Sequence, residues 1–182
     1  MMNVMLDLET MGKGPNAAIV AIGSVAFDPE TCTVDAKRGF YRGVDLESCV
    51  QYRLQMDAST VLWWLQQSEQ ARQALTEQPG LELHDALDQF GLWCTQQAPA
   101  QDLLVWGNGA AFDNVILRNA HQEAGLPTPW SHWNDRCYRT VKAMAPSIKI
   151  ERSGTHHHAL DDAISQAKHL VRVLTLLKGG AA

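Results

Sequence analysis

The chain has 182 residues, 46% of them hydrophobic and 19% charged, with a net charge of −5 and a pI near 5.7. That composition allows one domain with a real core, and no run approaches the roughly 18 apolar residues of a membrane span. An acidic balance argues against a protein that coats long stretches of duplex, since phosphate neutralisation supplies most of that affinity. It leaves open a protein that grips a short piece of polyanion through bound metal ions.

Met1-Met2-Asn3-Val4-Met5-Leu6-Asp7 has no basic region and meets an acid at once, so no secretory signal is expected. Cys32, Cys49, Cys94 and Cys137 are scattered without a C-x-x-C pair, which suits reduced thiols in a cytoplasmic protein.

In chain order, Val4 to Leu8 reads as a short apolar strand interrupted by Asp7, followed by a turn at Gly12-Lys13-Gly14-Pro15-Asn16. Ala18 to Phe27 is small and β-branched, a buried strand, and Thr33 to Val44 pairs back as a third. The period then changes. Val61, Leu62, Leu65, Ala71 and Leu75 recur at helical spacing, with Ser59 as N-cap and Pro79-Gly80 as the stop. Leu83, Ala86, Leu87, Phe90, Trp93 and Cys94 mark a second helix ending near Ala98-Pro99. Leu103 to Trp106 is a compact strand, and Val115, Ile116, Ala120 and Ala124 trace a helix closing at Gly125-Leu126-Pro127. The last helix runs from about Ala159 to Lys178. Strands first, then alternating helix and strand, predicts an α/β fold with a mixed sheet. It is read as a single domain over 1–178 with a flexible tail at 179–182.

The acids carry the chemical signal. Asp7 and Glu9 lie two apart on a strand, so both carboxylates face one side of it. Asp113 opens a helix after the strand Leu103–Trp106, while Asp161 and Asp162 lie in the first turn of the last helix. Each could simply serve a solvated edge or a helix dipole. Together they could hold Mg²⁺ or Mn²⁺, which take carboxylate oxygens, as two ions roughly 3.5–4 Å apart flanking a phosphate.

Three stretches sharpen this. Asp7-Leu8-Glu9-Thr10, Gly107-Asn108-Gly109-Ala110-Ala111-Phe112-Asp113 and His157-His158-Ala159-Leu160-Asp161-Asp162 resemble, in order, the three motifs of DEDDh (DnaQ-like) 3′–5′ exonucleases. Met56 to Ser68 and Asp135 to Thr140 resemble a subgroup that contains phage exonuclease A and a mycobacterial exoribonuclease. The resemblance implies an RNase H-like mixed five-stranded sheet flanked by helices. It implies Asp7, Glu9, Asp113 and Asp162 as metal ligands for two ions, Mg²⁺ or Mn²⁺, and His157 as general base. Glu9 also accepts a bond from the 3′-hydroxyl in this reading. Leu8, Thr10, Met11, Phe112 and Trp64 are expected to contact the substrate.

The implied activity releases mononucleotides from the 3′ end of single-stranded or 3′-overhang DNA, with RNA as a further substrate. The alternatives are an exoribonuclease strictly for RNA and a catalytically silent nucleic-acid-binding module. Three consecutive histidines, His156 to His158, also raise a zinc hydrolase, but no HExxH accompanies them. Homodimerisation is expected by analogy with relatives. Spacing alone leaves two registers, His157 with Asp162 or His156 with Asp161. Trp63 and Trp64, adjacent on a helix, are read as core or as a stacking platform, and Arg136, Arg139 and Lys142 as a phosphate contact or a solvated face.

Overall fold

The computed structural model describes residues 1–73, 75 and 80–179, so the stop at Pro79 and the tail from 180 onward lie outside the described residues. Six strands form one sheet: β1 (Met2–Thr10), β2 (Ile19–Asp28), β3 (Thr33–Val34), β4 (Phe40–Gly43), β5 (Leu103–Gly107) and β6 (Asp135–Cys137). The order is β3-β2-β1-β5-β6, with β4 also paired to β2. β1 runs antiparallel to β2 and parallel to β5, and β5 runs parallel to β6.

The strand count is six because the expected third strand, Thr33 to Val44, is split. A 3-10 turn at Ala36–Arg38 interrupts it, where Asp35 and Arg38 pair at 2.6 Å. The short β6 was not expected from the sequence. It has no alternating pattern to reveal it, only Asp135, whose carboxylate accepts from Asn114, Arg118 and Trp130 at 2.6–2.9 Å.

The helices are α1 (Leu46–Gln51), α2 (Ala58–Leu65), α3 (Glu69–Gln73), α4 (Leu83–Gln97), α5 (Asp113–Glu123), α6 (Tyr138–Met144) and α7 (Ala159–Gly179). The single helix expected from Ala58 onward is two, α2 and α3. Its N-cap is Asp57 rather than Ser59, and the Asp57 carboxylate accepts from Lys13 N at 2.7 Å. α1, unexpected, starts where the Asp45 side chain accepts from Glu47 N and Ser48 N.

Alternation along β1 divides the core. Val4, Leu6 and Leu8 join Leu83, Leu87, Phe90, Ile116 and Leu117 under α4 and α5. Met5 faces the other way, onto Val25, Trp106, Ala163, Ala167 and Leu170 beneath α7. Asp7 and Glu9 continue the Met5 face, so the second face turns from apolar to acidic along one strand. Among the described residues no helix is long and apolar enough to cross a membrane.

Candidate active site

Two close approaches bring distant acids to Asp7. In the sheet Gly23 of β2 pairs with Asp7, and the first turn of α7 lies directly on it. A Cβ at Gly23 would sit 2.1 Å from the Ala159 carbonyl carbon and 2.3 Å from Leu160 N. Only glycine lets the helix start this near the sheet. Asp162 and Gln166, one turn apart on α7, are both buried on the side that meets β1. Gln166 Nε2 donates to Asp7 Oδ1 at 2.7 Å.

The second approach is at the end of β5. A Cβ at Gly107 would lie 2.4 Å from Asn114 Oδ1 and 3.0 Å from Asp113 Cβ. The turn after it therefore folds tightly and delivers Asp113 at the start of α5. Leu8 N donates to Asp113 Oδ1 at 3.2 Å, a bond across 105 residues of sequence. The site thus sits at the carboxyl ends of the parallel pair β1 and β5, where open α/β sheets usually bind ligands.

Asp7, Glu9, Asp113 and Asp162 are all buried. Asp7, Glu9 and Asp162 each place a carboxylate oxygen within 4.8 Å of the others. Burial first, then the neighbouring acids, pushes Asp7 well above the usual carboxylate range and Glu9 up to about 8. Burial raises Asp113 to about 7 against the opposing pull of backbone amides and Arg139. Asp113 Oδ2 is buried with no partner among the described residues. A cluster of hard oxygen donors with too little positive charge fits a divalent cation. Arg152 pairs with Asp162, its Nη1 2.5 Å from Asp162 Oδ1.

The structure distinguishes the two acids, Asp162 and Asp161. Asp162 enters the acid cluster and accepts from His157 N at 3.1 Å. Asp161 turns outward, accepting from Thr155 N at 2.8 Å and facing His158 Nδ1 at 3.5 Å. His158 stacks on Tyr41 at 4.3 Å between centroids. His157, at φ +64, packs its ring edge-on against Trp63 and Trp64. His156 and His157 each have a ring nitrogen within 4.8 Å of an Asp162 oxygen.

Residues 2–174 match the family described as the 3′-5′ exoribonuclease Rv2179c-like domain. The chain belongs to that family. It is also 29% identical over 160 residues to the exodeoxyribonuclease of Enterobacteria phage T4, covering 77% of this chain and 70% of that protein. Two solved structures share the fold. The nuclease domain of 3′hExo, a DEDDh family member bound to rAMP, has a TM-score of 0.65 at 15% identity, over 96% of this chain and 92% of that one. S. pombe Pop2p in its Mg²⁺ and Mn²⁺ bound form has 0.64 at 13%, over 95% and 82%. The RNase H-like fold and the 3′–5′ exonuclease class of the family agree with the expectations from the sequence.

Beside the acids of this exonuclease domain lies a cavity of about 320 Å³, lined by Leu8, Glu9, Thr10, Gly12, Lys13, Thr60, Trp63, Trp64 and Phe112. Leu8, Thr10 and Phe112 line it. Met11 does not: it is buried in the main core, its amide bonded to Ala18 O. Trp64 reaches the cavity wall but is 3% exposed, its Nε1 donating to Thr10 O at 3.0 Å. Trp63, 40% exposed, presents the more open ring.

Four further residues carry no functional signal in the sequence: Gly23 and Gln166, and Lys13 and Thr60, which line the cavity. Thr60 Oγ1 is buried with no partner among the described residues. A glycine inside an otherwise β-branched strand is the one packing signal among them.

Proposed function

We propose that the chain removes mononucleotides from the 3′ ends of single-stranded nucleic acid, DNA or RNA, using Mg²⁺ or Mn²⁺ as two ions held by Asp7, Glu9, Asp113 and Asp162. The observation that carries this reading is the convergence of three buried carboxylates from the two ends of the chain, Asp7, Glu9 and Asp162, within 4.8 Å. Such a cluster is costly to bury without a cation, and a fold keeps it for chemistry rather than for stability. The ions, when bound, would polarise the phosphate and lower the pKa of water for attack. The metals named in the Pop2p structure and the donor type here support that choice.

The remaining steps belong to side chains. The terminal base lies in the cavity against Trp63, with Leu8 and Phe112 forming apolar walls. Glu9, which lines the cavity and belongs to the acid cluster, accepts a bond from the 3′-hydroxyl, which makes the enzyme work from an end. His157, held neutral by burial and by His156, takes the proton from the attacking water at a ring nitrogen.

Matched 5′-labelled DNA and RNA oligonucleotides incubated with Mg²⁺ or Mn²⁺ test this. A ladder shortening from the 3′ end is expected on one sugar or both, abolished by chelation and blocked by a 3′-phosphate. Cleavage of a circular single strand contradicts the reading.

A further inference from the structure

A second concavity of about 760 Å³ reaches the turn that delivers Asp113, lined by Asn108, Arg139, Lys142, Ala143, Pro146, Ile148, Lys149 and Ile150. Its charged lining residues are all cations, although the chain as a whole carries 20 acids against 15 lysines and arginines. Among the described residues none of the three forms an ion pair. Arg139 donates to Asn108 O at 2.5 Å, Lys149 Nζ donates to Pro146 O at 3.0 Å, and Lys142 Nζ lies 5.8 Å from the Tyr138 ring centre. Arg139, Lys142 and Lys149 are exposed.

The groove is preformed. Ile148 O accepts from His169 Nε2 at 2.9 Å, and His169 Nδ1 shares a hydrogen bond with the Tyr138 hydroxyl, also at 2.9 Å. This buried relay ties α6, α7 and the segment carrying Pro146, Ile148 and Lys149 into one wall.

The groove also joins the active site through a single turn. Asn108, at the start of the turn that delivers Asp113, lines the groove, and Phe112, at its end, lines the terminal cavity. Gly109 between them, at φ +118, packs against the Arg139 guanidinium. We propose that this groove seats the strand upstream of the cleaved linkage, its phosphates on Arg139, Lys142 and Lys149 and its sugars on Pro146, Ile148 and Ile150. Four acids repel a polyanion, and cations set beside them offset that repulsion where the strand enters. The ligand class is a single-stranded phosphodiester chain of at least several nucleotides. This inference rests on the exonuclease reading.

The test compares the unmodified protein with the double variant Lys142→Ala/Lys149→Ala on a 12-nucleotide strand and on a dinucleotide too short to reach the groove. The variant is expected to raise KM for the longer strand roughly tenfold or more and leave dinucleotide turnover within about twofold. Binding of a labelled 12-mer, followed by fluorescence anisotropy across salt, should show a log–log slope smaller by about 1.4, at about 0.7 per lost phosphate contact. Equal loss on both substrates, or no loss on either, overturns the groove. If wild type cuts neither strand, the exonuclease reading fails, and the change in salt slope still decides whether the groove binds nucleic acid.

Discussion

Gln166 Nε2 lies 2.7 Å from Asp7 Oδ1, tying the last helix to the first strand at the acid most central to the site. Gln166 is buried, and its Oε1 has no partner among the described residues. In the proposed metal site a neutral donor on one oxygen of Asp7 leaves the other oxygen aimed at the ions without adding a competing cation, which makes Gln166 a positioning residue for Asp7 in that reading. Gln166→Leu is expected to lower kcat/KM by roughly 10–100-fold and to raise the metal concentration for half-maximal activity, the usual effect of losing an outer partner of a metal ligand. Excess Mn²⁺ should restore part of the loss. Unchanged metal dependence in a folded Gln166→Leu protein would show that the bond has no role in the site.

Gly23 tests how the site is assembled. A methyl group there collides with the backbone at Ala159 and Leu160, which cannot swing aside as a side chain would. Gly23→Ala is expected to destabilise by about 1–3 kcal/mol, the typical cost of overpacking, and to cut activity further by moving Asp162 off Asp7. Gly91→Ala, with nothing within 4 Å and a helical setting in α4, should be neutral or slightly stabilising. Thermal melts and metal-dependent cleavage on both variants check this. Wild-type Tm and activity in Gly23→Ala would mean that the helix start is not bound to the sheet as described.

Much of this site was legible in the sequence because catalytic geometry leaves short local patterns. The two-residue spacing of Asp7 and Glu9 puts both on one face, and the small-residue turn before Asp113 is visible in Gly107 to Ala111. What was hidden is contact across the chain. Nothing near Gln166 or Thr60 shows that one meets Asp7 and the other lines the cavity, since both are ordinary helix residues until α7 and α2 are packed. Met11 was misplaced because proximity in sequence to the first motif does not settle facing. After Glu9 the strand register shifts, and Met11 turns into the core. The third strand is split by a 3-10 turn between Asp35 and Gly39 that the apolar pattern of Thr33 to Val44 does not reveal.

Metal-free stability should depend on pH through the same acids. Burial raises Glu9 to about 8 in the folded protein, against an ordinary value of 4.5. Between those values the folded state holds a proton that the unfolded chain has released, so stability falls as pH rises through this window. The stability is fully present below about 4.5 and the penalty complete above about 8. Asp7 and Asp113 are shifted in the same direction. Glu9→Gln, which removes the titration, should raise the metal-free Tm at pH 8 by at least about 2–4 °C, corresponding to about 1 kcal/mol or more, and change it little at pH 4.5. Added Mg²⁺ should narrow the difference by stabilising only the wild type. A Tm that is higher for wild type than for Glu9→Gln at pH 8 without metal would contradict this.

The last prediction concerns which of three adjacent histidines takes the proton. His158 is engaged elsewhere, stacked on Tyr41 and facing Asp161, and Asp161 itself is held by Thr155 N. His156 is exposed, while His157 is half-buried against Trp63 and Trp64. The amide of His157 is bonded to Asp162 Oδ2, and its left-handed backbone lets one residue offer both that amide and its ring to the site. Burial, then His156, then Arg152 lower its pKa, outweighing Asp162, so the ring is neutral and able to accept a proton at pH 7. His157→Ala is expected to lower kcat by roughly 10²–10⁴-fold with little change in metal affinity. His156→Ala and His158→Ala should each cost less than about tenfold. In wild type kcat should fall toward acid with a limb below the ordinary histidine value of about 6.5, and that limb should vanish in His157→Ala. Because His156 also reaches Asp162, its replacement is the decisive control. If His156→Ala loses the acid limb and His157→Ala keeps it, the proton goes to His156, and His157 serves Asp162 only through its backbone.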